Sequence, residues 1–170
     1  MKKTQVLVYV SLLISLEIIL TRFLSFQTPL VRISFGFLPI MLSAYMFGPL
    51  IGGITGALSD IIGIFMFSTA SFFPGFTLSA FLTGFIYGNI LHNSKYSIKK
   101  IIISVLLISL IVEFGLNTIW LSIITGKAIT AILPLRIIKI AIIIPIQIIS
   151  INIVLKSLSR YLEKYIAIER

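Results

Sequence analysis

An all-α integral membrane bundle of six transmembrane helices, with N- and C-termini cytoplasmic, is the fold class that this 170-residue sequence predicts. Three observations predict it. Hydrophobic residues make up 58% and charged residues 11% of the chain, with a mean hydropathy of +1.15, which is more apolar and far less charged than a soluble domain. Apolar runs close to membrane-spanning length recur between short punctuating clusters of Gly, Pro and polar residues. The Lys and Arg residues gather on one side of a six-span arrangement. With about 17–25 residues needed per span, no room remains for a soluble domain. Residues 1–170 are therefore expected to form a single transmembrane domain.

The first element is MKKTQVLVYVSLLISLEIIL, a basic start followed by an apolar run. It resembles a signal peptide but lacks a small-residue cleavage site, and the apolar run continues into TRFL. It reads as a retained first helix. The other five spans are expected near 33–47, 50–67, 77–92, 101–122 and 132–157. They are separated by Gly48-Pro49, the SFFPGF break, HNSKYSIKK and ITGKAIT.

Orientation follows from the cations in the connections. With the N-terminus inside, the cytoplasmic side holds Lys2, Lys3, Lys95, Lys99, Lys100, Lys156, Arg160, Lys164 and Arg170, and the outside loops hold only Arg22, Arg32 and Lys127. The net charge of +9 thus tracks the membrane rule, and the basic tail is expected on the anionic headgroups of the lipid bilayer, with no nucleic-acid partner.

In this topology SFFPGF is an external connection. Phe72, Phe73 and Phe76 form a costly patch to leave in water, so they should cover something. One reading is a cavity: non-helical backbone is tolerated there, and a helix restarting after Gly75 aims unpaired N–H groups into it. The other is an aromatic belt at headgroup level.

Polar residues inside the spans point to a site. In IVEFGLNTIWL, Glu113, Asn117 and Trp120 fall at i, i+4 and i+7 and share one helical face, and such groups at membrane depth look into a bundle or a wet cavity. LPLRIIK opens the last span, with Pro134 suited to a first turn and Arg136 and Lys139 one turn apart on the exterior side. Either cation contacts a ligand or snorkels to headgroups. Arg32, in VRISFGFLP, is a third external cation. Guanidinium forks bind carboxylates bidentately, and Phe73, Phe76 and Trp120 offer rings for stacking, so the set suits a ligand with carboxylates at one end and a flat ring at the other. Asp60, in GALSDIIG, is either a ligand contact or a paired structural carboxyl, and Glu17 is read as the latter. Gly52-x3-Gly56 and Gly84-x3-Gly88 have the spacing of close helix packing.

No catalytic set is present. His92 lies in a connecting turn, and neither a metal cluster nor a nucleophile motif occurs. The chain has no cysteine, which excludes thiolate metal sites and disulfides. ITGKA is not a phosphate loop, because the required Gly five residues before Gly126 is Leu121. No cofactor is expected, and any ATP is handled by another chain.

VRISFGFLPIMLSAYMFGPLIGG, GALSDIIG, SFFPGFTLSAFLTGFIYG and LNTIWL with LPLRIIK together resemble the folate-specific substrate-binding subunit (S component) of energy-coupling factor (ECF) transporters. The resemblance covers nearly the whole chain, and FFPGFTLSA is its most specific piece. It implies a six-helix, non-enzymatic protein of the bacterial plasma membrane that captures folate from outside. Its partners would be one transmembrane coupling subunit and two ATPase subunits. The pterin would lie among Phe73, Phe76 and Trp120, with Asn117 on its edge and Arg32 or Arg136 on the glutamate carboxylates. The family's Ala-x3-Ala docking motif corresponds here to Ser11-Leu-Leu-Ile-Ser15, which keeps the small size that close packing needs. Two rival readings are an S component for another anionic vitamin such as pantothenate, and a small membrane enzyme or channel.

Overall fold

The computed structural model describes residues 3–27, 32–67, 72–94 and 96–168, without the side chains of residues 26, 27, 32 and 159–168. The described chain is helical apart from one short strand pair. In order it runs α1 (Lys3–Arg22), β1 (Phe26–Gln27), β2 (Arg32–Ile33), α2 (Phe37–Phe47), α3 (Pro49–Met66), α4 (Pro74–Leu91), α5 (Ile98–Leu107), a π-helical segment (Ile108–Leu116), α6 (Asn117–Thr125) and α7 (Ile129–Ile168). Among the described residues, four helical stretches are long and apolar enough to cross a membrane: Lys3–Arg22, Pro49–Met66, Ile98–Thr125 and Ile129–Leu158. α2 is shorter, and its 11 residues rise only about 16 Å against a hydrocarbon core of about 30 Å.

Local chemistry sets the boundaries. Gly48 sits between α2 and α3 at φ +96, a backbone state open to Gly, and Pro49 then starts α3 where its missing N–H costs nothing. Pro74 plays the same role for α4, so the Pro-Gly pair does not precede a later start at 77 as the sequence reading expected; it is the first turn. The expected second span also starts later, at Phe37, because Arg32 and Ile33 pair antiparallel with Gln27 and Phe26. α7 begins at Ile129, which moves Pro134 from the first turn to the helix interior, where Pro145 also lies. At 40 residues α7 is about 60 Å long, twice the hydrocarbon thickness.

The fifth expected span is a continuous helix over Ile98–Thr125 whose middle is wound as a π-helix. The Asn117 N–H bonds the Val112 carbonyl, a five-residue step. Sequence periodicity alone does not report such a change of winding.

Packing is tightest along the α3–α4 seam. A Cβ on Gly84 would stand 2.1 Å from the Gly52 carbonyl oxygen, so the two backbones touch and the small-residue spacing does what it predicts. α2 joins the same pair through Ser43, which donates to Thr55 Oγ1 at 2.6 Å while Thr55 donates to the Ile51 carbonyl at 2.8 Å. Beyond them a buried core of Met41, Tyr87, Ile101, Val105, Val112 and Ile151 ties α2, α4, α5, the π segment and α7 together. His92 is not a free loop histidine: its Nδ1 donates to the Tyr45 carbonyl at 2.9 Å, and its ring lies against Gly48.

α1 keeps one long face uncovered. Leu7, Leu12, Leu16 and Ile19 are exposed, and Ser11 and Ser15 are exposed among them. Both hydroxyls fold back onto their own helix, Ser11 to the Leu7 carbonyl at 2.9 Å and Ser15 to the Ser11 carbonyl at 3.0 Å. The outward surface there is small and apolar.

Candidate ligand-binding site

The start of α4 and the end of the fifth helical stretch meet in a cluster of rings. The ring centroids of Phe73 and Trp120 are 5.7 Å apart at 52°, and those of Phe73 and Phe76 are 6.1 Å apart at 69°. None of these pairs is stacked face to face, which leaves aromatic faces for a planar ligand to cover. Phe72 turns away to Phe65, at 5.8 Å.

Gly75 makes the cluster possible. A Cβ there would lie 2.5 Å from the Phe73 ring and 2.6 Å from Trp120 Cδ2. Gly75 thus acts by the space it leaves for the indole, whereas the sequence reading valued it for the backbone around it. The indole is held by Ser79, one turn further along α4, which accepts from Trp120 Nε1 at 3.2 Å. Thr77 donates to Asp60 Oδ2 at 2.7 Å, tying α4 to α3 on its other side. Asp60 is accordingly engaged with protein in this structure. Thr77 and Ser79 escaped the sequence reading, although two hydroxyls in FTLSA just after a helix start were the available signal.

A charged cluster sits further along the same helical stretch, about 10 Å from Trp120 for seven residues of rise. Glu113 Oε2 accepts from Lys139 Nζ at 2.6 Å and from Arg136 Nη2 at 3.1 Å, and the Glu113 carbonyl accepts from Arg136 as well. The cations are nearly buried, with side-chain exposures of 5% for Arg136 and 10% for Lys139. Neither reaches out to headgroups as a snorkelling side chain would. Among the described residues, Arg136 Nε and Asn117 Oδ1 are buried polar atoms with no hydrogen-bond partner. In an apolar bundle such atoms are costly unless something satisfies them.

The remaining expected residues are distributed as follows. The Arg32 backbone pairs with Gln27 in the β1–β2 ladder, and its side chain lies outside the described residues. Glu17 is buried and accepts from Thr21 at 2.6 Å, as a structural carboxyl does. Ser11 and Ser15 stand apart from the site, on the open face of α1. A groove of about 330 Å³ lined by Leu106, Ser109, Leu110, Phe114, Ile140 and Ile144 contains none of the expected site residues.

Comparison with known proteins places the chain in a family. Residues 1–164 match the model of the ECF-type riboflavin transporter S component. The folate transporter FolT of Clostridium novyi (strain NT) is 49% identical over 142 residues, covering 84% of this chain and 83% of that protein. FolT of Leuconostoc mesenteroides subsp. mesenteroides is 34% identical over 119 residues, covering 69% and 64% respectively. A crystal structure of FolT bound with folic acid superposes with a TM-score of 0.84 at 34% identity, over 88% of this chain and 93% of that one. The S component of a bacterial ECF transporter shares the fold, with a TM-score of 0.55 at 24% identity over 97% of this chain and 99% of that one. The chain therefore belongs to the family of ECF-type riboflavin transporter S components, integral membrane substrate-binding subunits and not enzymes.

Proposed function

We propose that this protein is the folate-binding S component of an ATP-driven ECF vitamin importer in a bacterial plasma membrane. It forms a single domain of six transmembrane helices with both termini cytoplasmic, a topology supported by the distribution of Lys and Arg. The Phe73–Trp120 cluster then opens to the exterior. Folate enters from that side, its pterin covering the rings of Phe73, Phe76 and Trp120 beside Gly75, with Asp60 and Thr77 behind them. Asn117 Oδ1 accepts from the pterin edge, and Arg32, Arg136 and Lys139 supply cations for the glutamate carboxylates. Release into the cell requires the transmembrane coupling subunit and the two ATPase subunits, because no phosphate-binding loop occurs in this chain.

The observation that carries the reading is the conjunction of an aromatic cluster, which joins the start of α4 to the fifth helical stretch, with buried, incompletely satisfied polar groups on that stretch and on α7. Folate joins a flat heteroaromatic ring to two carboxylates and matches both. The relatives named as folate transporters support the same ligand.

The family model carries the name of a riboflavin transporter, which makes riboflavin the competing ligand. Riboflavin has a flat ring but no carboxylate, so it leaves the cationic groups unmatched. The test is equilibrium binding of radiolabelled folic acid to the purified chain without ATP, with riboflavin as competitor. Saturable, stoichiometric binding that excess riboflavin does not displace is expected. Saturable binding of riboflavin without binding of folic acid overturns the reading.

A further inference from the structure

We propose, resting on the folate reading, that Glu113 is a built-in counter-ion that makes the site select for ligand charge, with Lys139 as the cation it shares with an incoming carboxylate. Nothing in the aromatic recognition of a ring requires this device. It is carried by the arrangement of three charges on two helices.

One carboxylate serves two cations. Glu113 Oε2 takes both Lys139 Nζ at 2.6 Å and Arg136 Nη2 at 3.1 Å, so the triad holds a net charge of about +1 within the bundle. With the cations nearly buried and only the Glu113 side chain left 24% exposed, that net charge is unfavourable without a partner, most of all where lipid surrounds the protein. The triad therefore favours one further negative group. The two cations are not equally free to meet it. Arg136 is bound twice, by the carboxylate and by the backbone carbonyl of Glu113. Lys139 is bound once, through a single flexible ammonium with three donors. Lys139 can turn a donor to a ligand carboxylate while keeping Glu113, whereas Arg136 would have to leave the backbone. Arg136 Nε, in the triad itself, and Asn117 Oδ1, one turn along from Glu113, are also buried without a hydrogen-bond partner.

Glu113 has a second consequence. In its absence the two cations would carry about +2 and attract any anion, so the carboxylate sets how much ligand charge is rewarded. Its place within the π segment, where the Asn117 N–H bonds Val112 in the wider winding, belongs to the same stretch of backbone that presents Asn117 and Trp120.

The experiment compares folic acid with its uncharged dimethyl ester, using the purified full chain in lipid nanodiscs. The quantity read is the affinity ratio of acid to ester, which cancels any general weakening of the site. Glu113→Gln raises the triad to about +2 and should raise the ratio about ten-fold or more. Lys139→Gln lowers it to about zero and should bring the ratio close to one. The double variant Glu113→Gln with Lys139→Gln restores about +1 and should return the ratio to within about three-fold of the parent. The double variant tests the proposal even where one single variant fails to fold. A ratio unchanged in either single variant, or a fall in Glu113→Gln, overturns the charge-selecting role, as does a double variant whose ratio stays at that of whichever single variant folds instead of returning toward the parent. Failure of the parent chain to bind folic acid at all counts against the folate reading itself; tight binding with unchanged ratios counts against Glu113 alone.

Discussion

The indole N–H of Trp120 donates to the hydroxyl of Ser79 at 3.2 Å, so the end of the fifth helical stretch is fastened to the start of α4 by one hydrogen bond between two side chains. Ser79 is buried and Trp120 half-buried. This bond fixes the plane of the largest ring in the cluster. It also makes the site depend on two segments separated by 41 residues.

Ser79→Ala leaves the indole N–H without its acceptor in a low-dielectric setting, a loss of about 1–3 kcal/mol. The expected result is weaker folate binding by about ten-fold and a shifted Trp120 emission maximum. Since Trp120 is the sole tryptophan, the emission reports this ring alone. Folate should quench it in step with occupancy, and Trp120→Phe should abolish the signal while retaining much of the stacking. Constant emission during stoichiometric folate binding, after correction for absorption by the ligand, would remove Trp120 from the site.

Gly75→Ala tests the space beside the rings. The new methyl would stand 2.5 Å from Phe73 and 2.6 Å from Trp120, closer than carbon atoms approach without movement. Overpacking of this kind costs about 1–3 kcal/mol. Because both clashing groups belong to the site, folate affinity should fall by at least about ten-fold, with only a modest drop in thermal stability in detergent. A large loss of stability with unchanged affinity in the folded fraction would make Gly75 a packing residue only.

The clustering of the candidate residues is partly legible in the sequence, for reasons that lie in particular residues. Phe73, Phe76 and Trp120 are identifiable as candidates because an aromatic patch beside a Pro-Gly pair is costly to expose to water, and the polar face that carries Trp120 is costly to expose to lipid. The close approach of α3 and α4 followed from glycines four apart. What escaped was pairing. Arg136 and Lys139 were legible as cations, but their convergence on Glu113 depends on how α7 packs against a π-wound segment, and an α-helical period does not contain that information. Proline favours a first turn, which is where the sequence pattern puts Pro134, yet α7 starts one turn earlier and carries it inside. In a membrane bundle neighbouring groups can satisfy the carbonyl that a proline frees.

Arg136→Lys separates a fork from a charge. Arg136 Nη2 donates to the Glu113 carbonyl and carboxylate at once, and the planar guanidinium holds its other donors, Nε among them, in a fixed fork that an ammonium lacks. The substitution also removes the buried Nε. Folate affinity should fall about ten-fold or more if the planar group orients the site, measured by isotherms on the two purified proteins side by side. Equal affinities would reduce Arg136 to a fixed positive charge.

The open face of α1 carries the remaining prediction. Ser11 and Ser15 are exposed, four residues apart, between large exposed apolar side chains, and their hydroxyls are consumed by bonds to Leu7 and Ser11 on the same helix. The surface they present is therefore narrow and almost apolar, as a second helix packing closely against α1 requires. It is also remote from the Phe73–Trp120 cluster in sequence and in its neighbours, since α1 packs on α2 and α3. Docking on the coupling subunit through this face predicts a clean division. Ser11→Leu with Ser15→Leu should fill the furrow and reduce co-purification of the coupling subunit and ATPases by about ten-fold, while folate affinity of the isolated chain stays within about two-fold. ATP-driven uptake in proteoliposomes containing the whole assembly should fall in parallel with assembly. Ser11→Ala with Ser15→Ala keeps the small size and should leave both assembly and uptake intact. Normal co-purification of the module with the leucine pair would move the docking surface to another face, and a matching loss of folate binding would show that the serines support the bundle itself.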